Sequence, residues 1–192
     1  PCIVTWVPLN ESWGVPFISV DRRQQEFSQT LYHLLKSFDS TRLVVGNDGW
    51  EMTETDLCAI HNYDHGEKND EKAHAKFRES LSCREELLYT YTAGRKIFVD
   101  GWKDRGQPVL LTEFGGISFA EQDDKAWGYT CIRDEAELEK EYERILDAIC
   151  ASDSIAGFCY TQLADVEQET NGLLTCDRVP KIRTEIIRKI ND

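Results

Sequence analysis

Two glutamates follow apolar segments in a way that could place a pair of carboxyl groups at the edge of one sheet. Glu11 comes after the run CIVTWV (2–7), in the sequence WVPLNESWG, and Glu113 comes directly after PVLLT (108–112). Two carboxyl groups can cleave a glycosidic bond, one as general acid and the other as nucleophile. A single glutamate after a strand more often caps a helix or lies in solvent, so the prediction depends on the pair.

The spacing of the two glutamates fits a parallel α/β architecture. They are 102 residues apart, and a (β/α)8 barrel of about 250 residues uses about 31 residues for each strand and its helix. The separation therefore corresponds to about three such units. In these barrels the reacting groups lie at the C-terminal ends of the strands, which is where both glutamates are expected.

Short apolar runs alternate with amphipathic segments along the rest of the chain. Hydrophobic spacing and composition predict further strands at 42–45, 57–61 and 155–163, and helices at 20–38, 70–89, 134–150 and 180–191. Residues 115–133 are expected to form a long loop. This alternation predicts an α/β fold in which helices cover parallel strands.

Composition limits the kinds of molecule that the protein is expected to bind. The formal net charge of −13 repels phosphate backbones, so nucleic acid is disfavoured, whereas a neutral carbohydrate is compatible with it. The apolar runs are too short to span a membrane. The seven cysteines are odd in number and form no CxxC pair, which predicts reduced, mostly buried thiols without disulfides or structural zinc. Reduced thiols favour a cytoplasmic location.

Three separated motifs carry a family resemblance. The sequences NES (10–12), TEFGG (112–116) and GFCYTQLADVEQETNGLL (157–174), in this order, resemble glycoside hydrolase family 2. The resemblance implies that residues 1–192 are the C-terminal part of the catalytic TIM barrel, strands four to eight, with no second domain. It also implies that Glu11 is the acid/base and Glu113 the nucleophile of a retaining enzyme that cleaves terminal β-linked sugars, with β-galactosides favoured.

The resemblance and the flanking residues suggest further substrate-binding groups. By resemblance, the Asn10 amide binds the sugar 2-hydroxyl and Tyr63 holds the nucleophile, although loop capping and packing are the plain alternatives. His61 would share a strand face with Tyr63 and could donate a hydrogen bond. Candidate sugar platforms are Trp50, Trp127 and Tyr160, each of which could equally pack in the protein.

Other roles are less favoured. Trp6 and Trp13 are expected to pack around the Asn10–Glu11 pair, and Asn47 and Gln162 rank low as sugar-binding groups. His61 and His65 are four residues apart but on a strand end and loop, so a metal site is disfavoured, and the glycosidase chemistry needs no cofactor.

The resemblance also implies a partner. The first three barrel strands and the preceding β-sandwich domains of the family lie outside these residues, so an N-terminal part of the same polypeptide would complete the site. Weak catalysis and self-association into a homo-oligomer are therefore expected of residues 1–192 alone. The rival function is a non-catalytic carbohydrate-binding or scaffold fragment. A Cys/His nucleophile is disfavoured because Cys58 would point inward from its strand.

Overall fold

The computed structural model describes residues 2–119 and 128–192. Helices and strands alternate through most of this range, as the following bounds show. The strands are β1 (Thr5–Trp6), β2 (Leu43–Val44), β3 (Cys58–His61), β4 (Val109–Glu113), β5 (Ile117–Phe119), β6 (Thr130–Ile132) and β7 (Ile155–Phe158). The helices are α1 (Arg22–Phe38), α2 (Glu71–Ser80), α3 (Arg84–Tyr89), α4 (Glu135–Cys150) and α5 (Thr184–Asn191). None of these helices has the length and apolarity needed to cross a membrane.

The strands expected from the sequence pair in the order of the chain. β1 and β2 are parallel, with Thr5 opposite Leu43. β4 lies between β3 and β7 and runs parallel to β7. A parallel bridge between Gly49 and Ile60 connects the segment after β2 with β3. The chain is therefore an α/β protein with parallel sheets.

The chain divides into two compact units. The first comprises Pro1–Asn62, Arg84–Thr112 and Ile155–Phe158, and the second comprises Tyr63–Cys83, Glu113–Ser154 and Cys159–Asp192. The expectation that residues 1–192 form one part of a catalytic barrel without a second domain stays a prediction.

Helix α1 packs in the first unit through its polar side. Its buried residues are Gln25, Ser28 and Tyr32, whereas Phe27 and Phe38 are exposed. The Ser28 hydroxyl bonds Thr53 at 3.0 Å, and the Tyr32 phenol donates to Asp56 at 2.7 Å. The apolar spacing correctly predicts the helix but not its buried side, because these hydroxyls find partners in distant parts of the sequence.

Helix α4 forms the centre of the second unit. It contacts α2, α5 and β5, and the residues that the helical pattern directs inward are all buried: Leu138, Tyr142, Ile145, Leu146 and Ile149. Asp134 caps the helix by accepting a hydrogen bond from the Glu137 amide at 2.9 Å. This helix could be predicted because its apolar residues form one continuous buried side and because Asp134 accepts a hydrogen bond from its first turn.

Several element bounds differ from the sequence prediction. The segment 70–89 forms two helices, because the Leu81 carbonyl at the end of α2 accepts a hydrogen bond from Ser152 instead of continuing the helix. The expected loop 115–133 contains the parallel pair β5 and β6. The last helix begins at Thr184, since Pro180 pairs with Leu174 in an antiparallel bridge. The strand predicted at 155–163 ends at Phe158.

All seven cysteines are free thiols, but the prediction that most are buried is wrong. Only Cys58, in β3, is buried, and the other six are exposed. Burial raises the pKa of the Cys58 thiol to about 12, so it is inert at neutral pH. Five of the others lie at element ends or in loops, and Cys131 is directed outward from the middle of β6.

Candidate active site

Glu11 lies beyond the C-terminal end of β1, in the segment that follows Trp6. Its backbone N–H donates to the Asp48 carbonyl at 2.9 Å, and the Asp48 N–H donates to the Leu9 carbonyl at the same distance. These bonds extend the parallel pairing of β1 and β2 up to the glutamate. Glu11 and Ser12 then both take positive φ angles, 51° and 60°, which are sparsely populated for residues other than glycine.

A buried polar network holds this unusual turn. The Asn47 side chain accepts from the Ser12 N–H and donates to the Ser12 hydroxyl, both at 3.0 Å. The Ser12 hydroxyl donates to Glu51 at 2.6 Å, and Glu51 accepts from Arg95 at 3.0 and 3.1 Å. Asn47 also donates to the Trp50 carbonyl, so its amide group connects the turn at Ser12 with the loop that contains Trp50.

Removing the charge of Glu51 should loosen the turn that presents Glu11. Glu51→Gln weakens the charge-assisted bonds from Ser12 and Arg95, and we expect it to lower the free energy of unfolding by about 1–2 kcal/mol, since Arg95 is partly solvated. Urea denaturation measures this. Glu26→Gln, which breaks the exposed Arg22–Glu26 pair, is the matched control and should cost less than about 0.5 kcal/mol. Equal effects of the two variants would contradict the role of the network.

The Glu11 carboxyl contacts a buried histidine. Its Oε1 lies 2.9 Å from Nδ1 of His61, and the glutamate side chain is 26% exposed, whereas the histidine side chain is fully buried. Nε2 of His61 lies 3.2 Å from Oδ1 of Asp48. That oxygen accepts a hydrogen bond of 2.5 Å from the Thr112 hydroxyl, and Trp50 packs edge-on against the imidazole. His61, predicted to bind sugar, is thus directed at the candidate acid/base.

Glu113 is the last residue of β4, and a phenol contacts its carboxylate. The Tyr63 hydroxyl donates to Oε2 of Glu113 at 2.7 Å, and the Tyr63 ring stacks on Tyr129 with the centroids 3.8 Å apart. Burial, and secondarily the Glu113 charge, raise the pKa of Tyr63. Tyr63 therefore remains a neutral donor at physiological pH, which favours the ionised form of Glu113.

The backbone after Glu113 depends on glycine. Gly115 has a φ of 90°, and a Cβ there would overlap the ring of Tyr160. The Tyr160 hydroxyl accepts from the Ile117 N–H and donates to the Asn171 carbonyl, both at 3.2 Å, and its ring packs edge-on against Phe114. Tyr160, a predicted sugar platform, thus has both polar contacts inside the protein.

Gly115→Ala should therefore destabilise the protein through strain and overlap together. We expect a loss of about 2–4 kcal/mol, combining the positive-φ strain with overpacking against Tyr160. Gly101 has a φ of 91° with no atom near the position of its Cβ, so Gly101→Ala isolates the strain and should cost about 1–2 kcal/mol. Thermal unfolding of both variants compares them. An equal loss would show that the contact with Tyr160 contributes nothing.

The remaining residues that were predicted for the site differ in how far they are buried. Asn10 is exposed beside Glu11. Trp50 is 9% exposed, and its indole N–H has no hydrogen-bond partner among the described residues. Trp127 lies outside the described residues. Trp13 is 77% exposed, so the expectation that it packs around the Asn10–Glu11 pair is wrong.

Two polar residues that the sequence pattern did not single out lie at this edge: Asp48 is next to His61, and Thr112 donates to Asp48. Asp48 follows β2 in the sequence GNDG, and Thr112 is the residue before Glu113 in β4. Their positions at strand ends are the signal that could have identified them, because polar side chains there lie at the edge where reacting groups are expected.

Comparison with known proteins places the fold. No protein-family model matches the chain, and no curated protein does. Among solved structures, a Bifidobacterium dentium β-glucuronidase has 23% identity and a TM-score of 0.63, with 100% of this chain and 30% of that one covered. A Ruminococcus gnavus β-glucuronidase has 16% identity and a TM-score of 0.65, covering 100% and 32%.

An Eisenbergiella tayi GH2 β-galacturonidase also matches, with 16% identity, a TM-score of 0.60, and 98% of this chain and 33% of that one covered. The chain spans about a third of the length of the structures that it matches. Over its whole length, this chain has the fold of part of the glycoside hydrolase family 2 enzymes.

Proposed function

We propose that the chain is the C-terminal part of the catalytic barrel of a family 2 glycoside hydrolase that acts with retention of configuration. The observation that carries this proposal is that Glu11 follows one parallel strand, Glu113 ends another, and a hydrogen-bonding side chain contacts each carboxyl group. The chain-order pairing of β1 with β2, and of β3 with β4 and β7, supports a barrel.

The proposed reaction proceeds in two steps. Glu113, as carboxylate, attacks the anomeric carbon and forms a covalent ester while the bond to the leaving oxygen breaks. Glu11 gives its proton to that oxygen and afterwards takes a proton from the water that hydrolyses the ester. Tyr63 assists by donating to Glu113, which keeps the nucleophile ionised between turnovers. Both carboxyl groups must reach one glycosidic bond for this to work.

We propose terminal β-galactosides as substrates. The net charge of −13 supports a neutral sugar over a uronate, because a strongly negative field repels an anionic substrate. β-Glucuronides are the second candidate, since several of the matched structures are β-glucuronidases. Asn10, Trp50 and Trp127 are the side chains proposed to contact the sugar.

Partners and location belong to the same proposal. Because the chain spans about a third of the matched structures, further strands of the same enzyme are proposed to complete the sugar site. Exposed apolar side chains in the segment before β1 and on α1, among them Val4 and Phe38, support self-association of the chain alone. The six exposed free thiols support a cytoplasmic location.

The experiment is hydrolysis of aryl β-galactosides and β-glucuronides by residues 1–192, with the anomer formed first read by proton NMR. We expect the β-anomer, slow turnover at least about a hundredfold below the ordinary enzyme value of about 10 per second, and a preference for galactoside. An α-anomer as first product would overturn the retaining mechanism. Sugar binding in calorimetry with no turnover, unchanged in Glu113→Gln, would instead favour the non-catalytic alternative.

A further inference from the structure

A tight turn shapes the segment that leads from α3 to β4. The turn spans residues 92–95 and closes with a backbone hydrogen bond of 2.8 Å. Ala93 and Gly94 at its centre have φ angles of 49° and 70°. Positive φ at both central residues is typical of a two-residue hairpin turn, which places the residues on either side of it opposite each other. Tyr91 and Lys96 are therefore neighbours.

The extended chain after this turn alternates between buried and outward side chains. Ile97 and Val99 are 1% and 2% exposed. Met52 fixes their backbone, since its N–H donates to the Ile97 carbonyl at 2.8 Å and its carbonyl accepts from the Val99 N–H at 3.1 Å. Successive side chains of an extended segment point to opposite sides, so Phe98 is directed outward. The surface around Phe98 is thus formed before any ligand binds.

Two adjoining cavities lie along this surface. The larger, of about 340 Å³, is lined by Tyr89 and Trp102 among others, and the smaller has about 270 Å³. Tyr91, Lys96 and Phe98 line both, so the cavities form one depression. Pockets for small molecules start at about 300 Å³, which the larger cavity alone exceeds. The whole depression therefore has room for a ligand longer than one ring.

The aromatic rings at the rim favour a ligand with both apolar and polar groups. Tyr89 is 76% exposed and Tyr91 is 57% exposed. An exposed phenol offers an apolar ring face beside a hydroxyl that donates and accepts hydrogen bonds. A pyranose has the matching surface, because its C–H groups form an apolar face and its hydroxyls surround that face.

The charges at the rim favour a neutral ligand. The larger cavity is lined by two lysines and two aspartates, Lys96, Lys103, Asp100 and Asp104, so their formal charges cancel. Lys96 Nζ lies 2.6 Å from Asp100 Oδ1, and both side chains are well exposed. The ammonium donates and the carboxylate accepts, which suits adjacent hydroxyls of one ligand.

We propose that this depression is a second carbohydrate-binding site, which takes a neutral oligosaccharide of β-linked sugars. The Tyr91 ring stacks on one sugar, and the Lys96–Asp100 pair binds hydroxyls. None of the residues that line the larger cavity is assigned to the candidate active site. The second site therefore holds a sugar chain without cleaving it, which goes beyond the proposed hydrolysis.

The test is an NMR titration of ¹⁵N-labelled Glu113→Gln with β-linked galactobiose, since this variant is expected not to cleave the probe. We expect saturable shifts of the amide signals of residues 88–104. Tyr91→Ala should raise the dissociation constant measured from these shifts by roughly tenfold, because it removes the ring face. Tyr91→Phe keeps that face and should retain most of the affinity.

Phe38→Ala is the matched control, because it removes a ring that is 78% exposed on α1, and it should leave the affinity unchanged. No saturable shift in residues 88–104, or equal losses in Tyr91→Ala and Phe38→Ala, would overturn the proposal. Shifts caused by indole but not by galactobiose would also overturn it, in favour of an apolar aromatic ligand. If the unaltered chain hydrolyses no glycoside, the proposed function fails, and the titration still decides this site.

Discussion

Replacing Glu113 by glutamine is expected to lower kcat/KM for an aryl β-galactoside by roughly 10⁴- to 10⁶-fold, the scale of removing an enzymatic nucleophile. Glutamine has nearly the same shape and can still accept a hydrogen bond from Tyr63. It cannot form the covalent ester, because a neutral amide is a poor nucleophile at the anomeric carbon. The protein should therefore remain folded while turnover disappears. Initial rates with a dinitrophenyl glycoside, which keeps the signal measurable, give the comparison.

The control for this variant is Glu143→Gln, on the exposed side of α4. It removes one carboxylate in the same way and should leave kcat/KM within about twofold, as expected for a surface change far from the reacting groups. If Glu113→Gln retained more than about a tenth of the rate, Glu113 would not be the nucleophile.

Replacing Glu11 by alanine is expected to produce a loss that depends on the leaving group. For a phenyl glycoside, kcat should fall by about 10²- to 10⁴-fold, the usual contribution of a general acid. For a dinitrophenyl glycoside the first step needs no proton, so formation of the covalent ester should be nearly unchanged and its hydrolysis should become limiting. Azide fits the space left by the carboxyl group and should restore turnover with a β-glycosyl azide as product.

The matched control is Glu26→Ala, which removes an exposed glutamate of α1. Its rate should equal that of the unaltered chain with both leaving groups and should not change when azide is added. An α-glycosyl azide from Glu11→Ala would instead identify Glu11 as the nucleophile and reverse the proposed roles. A loss of kcat/KM, which reports formation of the ester, of the same size for both leaving groups would remove Glu11 from proton transfer.

The parts of the fold that were predictable are those where local pattern and packing agree. Helix α4 combines a cap at Asp134 with an apolar side that is buried along its whole length. Helix α1 shows the limit of such patterns, because spacing identifies a helix but not the partners of its polar side. Thr53 and Asp56, which bond that side, lie in the segment between β2 and β3, 25 and 24 residues along the chain from their partners.

The two glutamates of the candidate site could be predicted from the sequence, whereas the side chains that hold them in place were harder to predict. Glu11 and Glu113 could be found because each follows an apolar run, as parallel strands require. Glu51 could not, since its role depends on a contact with Ser12 that only the fold creates. The break after α2 has the same origin, as the bond from Ser152 to the Leu81 carbonyl joins distant segments.

The two-carboxylate mechanism is tested most directly by trapping its covalent intermediate. Dinitrophenyl 2-deoxy-2-fluoro-β-galactoside has a leaving group that departs without acid assistance, and its fluorine slows hydrolysis of the ester. After incubation with residues 1–192, mass spectrometry of the digested protein should find the fluorosugar on the peptide that contains Glu113, and no label in Glu113→Gln. A fluorosugar ester on any other residue, or turnover of the parent galactoside with inversion and no adduct, would contradict the mechanism.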